Sequence, residues 1–214
     1  MTPSELSEYA RQQYNSLNDD FFTDAELYRH IWAAQAELAR KALVIERTYT
    51  ASSVASQAEY EYPTNTIAIK RVTYNSSKLM PISFREYDSL VQNTTTVPTG
   101  TPQYYFVWEE TMTLYPTPDT SSYTIKVWSY NEPQEVSVTS TLEVPSLWHL
   151  PMADYLCWKK ATKDKNLAAA QLYKDNWDQA IIDAKAWQRK RLRGDSFSSV
   201  TDLDVVPITV VGAG

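Results

Sequence analysis

Residues 145–194, PSLWHLPMADYLCWKKATKDKNLAAAQLYKDNWDQAIIDAKAWQRKRLRG, decide the fold. In the second half Ala170, Tyr173, Trp177, Ala180, Ile181, Ala184 and Trp187 recur at spacings of three and four. That rhythm puts one apolar stripe on an α-helix and predicts a helix over 167–193. Gly194 stands where a helix end favours a residue free to take positive φ. The basic residues before it suit the negative pole of the helix dipole. Lys163-Asp164-Lys165-Asn166 contains no apolar residue and breaks the segment. A shorter helix over 148–162 comes first, with Leu150, Ala153, Leu156, Cys157 and Ala161 inward. The C-terminal third reads as a helical hairpin.

The N-terminus is also helical. Thr2-Pro3-Ser4-Glu5 has a capping threonine, a proline at the first helical position and a glutamate to close the box, which predicts a helix over 3–17. Leu6, Tyr9, Ala10, Gln13 and Leu17 follow at helical spacing. Thr23-Asp24-Ala25-Glu26 is a second capping box, with Phe22 and Leu27 as its hydrophobic staple. Leu27, Ile31, Ala34, Leu38, Ala42 and Ile45 line one face of a helix over 24–46.

From residue 48 threonine, tyrosine, valine and isoleucine dominate, which favours strands. Residues 57–62 and 66–74 read as two strands joined by a turn at Pro63-Thr64-Asn65. Lys78 to Ile82 is short and extended. Ser83-Phe84-Arg85-Glu86 is a third capping box, opening a short helix that ends near Val91. Segments 103–108, 111–115 and 122–130 read as an antiparallel meander, with Glu109-Glu110 and Pro116 to Asp119 at its turns. The fold class is α+β: N- and C-terminal helices packed as a bundle, an antiparallel β region inserted over 48–144, and an extended tail. The body of the domain is 1–194 and the tail is 195–214. In the tail Leu203, Val205, Val206, Ile208, Val210 and Val211 surround Pro207. Such a segment packs on its own domain or adds as a strand to a neighbour.

Composition narrows the function. The formal net charge is −6, which disfavours a general nucleic-acid binder, because phosphate binding needs positive surface. The single cysteine, Cys157, excludes an internal disulfide and lies on an inward helix face. No apolar run approaches a membrane span, and nothing at the start resembles a signal peptide. Four glycines, none placed to cradle a phosphate, exclude nucleotide loops. Fifteen tyrosines and seven tryptophans suit interfaces as well as cores.

Catalytic patterns are missing. His30 and His149 are the only histidines, and both read as packing or surface residues. Asp19, Asp20 and Asp24 read as loop and cap rather than as a metal site. No zinc spacing and no nucleophile elbow occurs, so neither enzyme activity, metal nor cofactor is expected. Lys185, Arg189, Lys190, Arg191 and Arg193 form one basic patch. They read as a solvated helix end, or alternatively as groups facing DNA phosphates in a nucleic-acid binding module.

The order of these motifs resembles the head-to-tail adaptor proteins of tailed bacteriophages. The resemblance rests on Phe21-Phe22-Thr23-Asp24-Ala25-Glu26-Leu27, Tyr115-Pro116-Thr117-Pro118, the Pro145 to His149 entry, and Ala170, Tyr173 and Trp177 on the long helix. It covers most of residues 5–193. It implies a virion protein of the neck, assembled in host cytoplasm as a homo-oligomer, a dodecameric ring under the portal. Such a ring extends a channel through which genomic DNA passes without sequence-specific binding, and it offers a platform to tail or nozzle proteins. Under it, Leu27, Ile31, Leu38, Tyr173, Trp177, Ile181 and Trp187 pack the ring body, and residues 203–211 dock on the portal or a neighbour. A capsid or tail accessory protein of the same texture is the other structural alternative.

Overall fold

Three helices begin at the capping boxes written in the sequence. The computed structural model describes residues 1–15, 22–92, 96–138 and 140–195, with 193–195 as backbone only. Helix α1 spans Pro3–Gln13: the Thr2 hydroxyl accepts from the Glu5 N–H, and the Glu5 carboxylate accepts from the Thr2 N–H. Helix α2 spans Asp24–Ala42 and repeats the exchange between Thr23 and Glu26. Each box satisfies donors that the first turn would leave unpaired. Both helices stop before the ends expected from periodicity, 17 and 46. Asn15 takes φ 55° and Leu43 takes φ 54°, left-handed conformations that no helix continues. The Leu43 N–H donates to the Ala39 carbonyl at 2.9 Å and closes α2. Leu17 lies outside the described residues.

The β region starts at 46 rather than 48. It runs through β1 Glu46–Ser52, β2 Glu59–Glu61, β3 Thr66–Tyr74, β4 Ser77–Lys78 and β5 Met80–Pro81. Helix α3, Phe84–Val91, follows from the Ser83–Glu86 box. Then come β6 Thr99–Gly100, β7 Tyr104–Trp108, β8 Thr111–Tyr115, β9 Thr117–Pro118 and β10 Thr124–Asn131. A 3-10 turn, Ser146–Trp148, leads into α4, His149–Lys163, and then α5, Leu167–Asp195. α5 continues through Gly194, so that glycine is not the terminator its position suggested. An interior glycine costs a helix only about 1 kcal/mol.

The strands form two four-stranded sheets, ordered β1-β10-β3-β4 and β2-β8-β7-β5, and a two-stranded pair β6-β9. The class is α+β and the pairing is antiparallel except for β5 with β7 and β6 with β9. The turn at Pro63 to Asn65 joins two strands as expected, with the Thr66 N–H donating to the Pro63 carbonyl at 3.1 Å, but the two strands join different sheets: β2 pairs with β8, and β3 with β10. The expected meander fails, because β7 and β8 form a hairpin but β10 inserts between β1 and β3. β10 can sit centrally because Ile125 and Val127 bury one face while both of its edges find partners.

Two cores result. The helical core holds Leu6, Leu27, Ile31, Leu38, Met152, Leu156 and Trp177. The β core holds Tyr74, Leu79, Met112, Leu114, Ile125 and Val127. Each large side chain so buried contributes about 1.5–3 kcal/mol. On α4 Ala153, Leu156, Cys157 and Ala161 face in as expected, joined by His149 and Met152, but Leu150 is 52% exposed. On α1, Pro3, Leu6, Ser7 and Ala10 face in, which leaves Tyr9 and Gln13 outside.

The return from β10 to α4 is pinned to α2. The Gln35 side-chain carbonyl, fully buried, accepts from the Glu143 N–H at 2.7 Å. The Glu143 carboxylate pairs with Arg47 on β1, and Arg40 reaches Glu132 at 2.7 Å. Helices and sheet are thus joined by partially buried polar contacts as well as by apolar packing.

Candidate interaction surfaces

The residues expected to build a ring body pack inside the subunit itself. Leu27, Ile31, Leu38, Trp177 and Ile181 are all buried, with Tyr173 and Trp187 half-buried against the same core. The Trp177 indole N–H donates to Glu37 at 3.2 Å, and its ring meets Tyr155 edge-on at 5.1 Å.

The basic end of α5 is partly consumed by the fold. Arg191 pairs with Glu46 at 2.8 Å and lies over the Trp187 ring at 5.5 Å. Gln188, buried, donates to the other Glu46 oxygen at 3.1 Å. Arg189 and Lys190 are exposed, and Lys185 is half-buried. The Arg193 side chain lies outside the described residues, as do Leu203, Val205, Val206, Ile208, Val210 and Val211. Of the expected phosphate-facing set, three exposed cations stand on the described surface, Arg189, Lys190 and Arg191, the last also paired with Glu46.

Several large apolar side chains stay in water. On the helices Leu147, Leu150, Leu172 and Ile182 are each more than half exposed. Leu172 and Ile182 lie on the side of α5 away from its buried stripe. The β region carries a separate aromatic surface that periodicity did not single out. Phe84 at the start of α3 packs 5.5 Å from Trp108 and 5.8 Å from Phe106. Tyr87, one turn on, lies 4.4 Å from Phe106. Phe84 is nevertheless 55% exposed, Trp108 60% and Met80 61%. The signal was present in the sequence as Phe84, Tyr87 and Val91 on one side of a short capped helix.

The titratable groups point to packing. Burial pushes the Cys157 thiol up to about 12, and its sulfur lies 3.5 Å from the Ala10 carbonyl. His149 is buried, with Nε2 2.9 Å from the Val144 carbonyl, and burial holds it below its ordinary value. His30 stacks on Phe22 at 5.5 Å and is lowered by the same cause. A histidine held neutral in the fold but free to protonate when unfolded makes the unfolded state bind more protons. Stability is then full above the ordinary histidine value of 6.5 and falls as pH drops through the depressed folded values. Thermal melts at pH 7.5 and pH 5.5 should show a lower midpoint at the acid value. Replacing both histidines by glutamine should flatten that difference.

Asp24 pairs with Arg11 at 2.7 Å, consistent with its cap role, and Asp19 and Asp20 lie outside the described residues. Among the described residues, no group of three or more His, Cys, Asp or Glu is placed to hold a metal ion. No curated protein matches the chain. The family model described as SU10 adaptor protein matches residues 1–201, nearly the whole sequence. The chain therefore belongs to the SU10 adaptor protein family, a family of phage head-to-tail adaptors.

Proposed function

We propose that this adaptor forms a homo-oligomeric ring, a dodecamer, that docks under the portal in the virion neck. The ring continues the DNA channel and gives tail or nozzle proteins a platform. Residues 1–194 form the ring-building body, with α2 and α5 at its heart, and residues 195–214 form the docking tail. The role is structural rather than catalytic. The observation that carries this reading is the pair of exposed apolar surfaces outside two filled cores. One is on the helices, at Leu147, Leu150, Leu172 and Ile182, and the other is at Met80, Phe84 and Trp108. A ring is a head-to-tail assembly, in which each subunit must offer surfaces that differ from one another. Membership of an adaptor family supplies the kind of partner, portal and tail proteins. No described helix is long and apolar enough to cross a membrane.

The channel part of the proposal rests on charge. A chain of net charge −6, with Arg189, Lys190 and Arg191 as its exposed helix-end cations, lets DNA slide rather than holding it. The alternative of a dedicated nucleic-acid module would use the same three cations, of which Arg191 also pairs with Glu46.

Native mass measurement and negative-stain imaging, with and without portal, test the reading. Closed rings with a central hole are expected, alone or templated on the portal. Leu150→Glu with Ile182→Glu, both exposed, should change stability by no more than about 0.5 kcal/mol each, yet stop ring closure. A compact dimer that binds DNA, with no ring on the portal, would overturn the proposal.

A further inference from the structure

Strand β3 has an outer edge that its own sheet covers only at one end. β4 pairs with Thr73 and Tyr74, and the Leu79 N–H donates to the Val72 carbonyl at 3.0 Å. Along Thr66 to Arg71 no described strand lies on that side. An open edge of this kind is a template for another strand, and proteins usually cover or blunt it. Beside it lies a cleft of about 310 Å³ whose lining includes Ile67, Ile69, Pro81, Ile82, Phe106 and Val107. That volume is in the range of pockets that hold a ligand. The strand continues into exposed Arg71, which puts positive charge at the rim.

The chain itself carries a segment that matches. Leu203, Val205, Val206, Ile208, Val210 and Val211 supply apolar side chains on both faces of an extended strand, and Asp202 and Asp204 supply the charge opposite to the rim. Pro207 lacks an N–H, which an outermost strand tolerates.

Position agrees. Arg191 and Gln188 fasten the end of α5 to Glu46. Glu46 sits opposite Tyr130, and Tyr130 opposite Ala68, so one row of the sheet leads from the helix end to β3. A strand added beyond β3 lies three strand spacings from β1, about 14 Å. The last turn of α5 after Arg191 adds about 6 Å. Residues 196–202 span up to about 23 Å when extended, enough for the crossing.

We infer that in the unassembled subunit residues 203–211 occupy this cleft of their own chain, lying along the free edge of β3. The apolar tail is thereby stored out of water until a neck partner takes it over. Backbone pairing supplies the affinity and the cleft selects the side chains, as in strand addition generally.

The test is hydrogen exchange on the full-length chain in its dilute monomeric form, compared with the full-length Val206→Asp, Ile208→Asp double variant. Both substitutions lie in the tail and touch neither core. The outward-facing amides of residues 67–71 should exchange at least tenfold faster in the variant, with the melting midpoint of the body unchanged. Equal exchange in the two proteins would overturn the inference. So would protection that appears only at concentrations where the chain dimerises, which would make a second copy the occupant. None of these outcomes depends on ring formation, so the inference and the adaptor proposal fail separately.

Discussion

Trp177→Ala is expected to remove about 3–5 kcal/mol of unfolding free energy, the usual cost of emptying a buried tryptophan site. Trp177 is fully buried and heads the largest such side chains among the described residues. It ties α5 to two other helices at once: Tyr155 on α4 by ring contact and Glu37 on α2 by its N–H. Truncation leaves a cavity that three helices line and none can collapse into alone. It also strips the Glu37 carboxylate of a donor. Equilibrium urea unfolding followed by circular dichroism reads the loss directly. Trp177→Phe keeps most of the ring volume and should recover more than half of it. A loss under about 1 kcal/mol for the alanine variant would mean that the helical core is held elsewhere.

Removal of residues 195–214 is expected to leave helix content and cooperative unfolding in place and to weaken portal attachment at least 100-fold, about 2.7 kcal/mol. Both cores are built from side chains of the body. What goes is the apolar segment proposed to dock on a neck partner. Co-sedimentation of the truncated chain with purified portal measures the effect. Attachment at the full-length level would remove the tail from the docking proposal and shift the contact to Leu150, Ile182 or the Phe84–Trp108 surface.

The sequence announced some features and concealed others, and the division follows range. The capping boxes at Thr2, Thr23 and Ser83 were legible because donor and acceptor stand three residues apart. The stripe through Trp177 was legible because 3.6-residue periodicity is local too. The ends at Asn15 and Leu43 were not, since neither residue is glycine and the surrounding packing imposes the left-handed turn. Strand existence was visible and strand partnership was not. Nothing within residues 57–74 says that β2 will join β8 while β3 joins β10, because those partners lie some fifty residues away. Leu150 misled for a different reason: His149 takes the inward place through a hydrogen bond that an apolar count cannot see. Among the candidate surfaces, the basic helix end was legible as an exposed run, while its Arg191–Glu46 pair was not, because the partners lie far apart in sequence. The Phe84–Trp108 surface went unnoticed because its two halves come from separate elements.

Glu46 holds two ends of the molecule in one hand. It opens β1, and its two carboxylate oxygens take Gln188 and Arg191 near the far end of a 29-residue helix. In mechanical terms it is a cleat. At Arg191 and Gln188 a pull on the end of α5 meets the first rung of a seven-residue ladder between β1 and β10. Tension there is thus shared between helix and sheet.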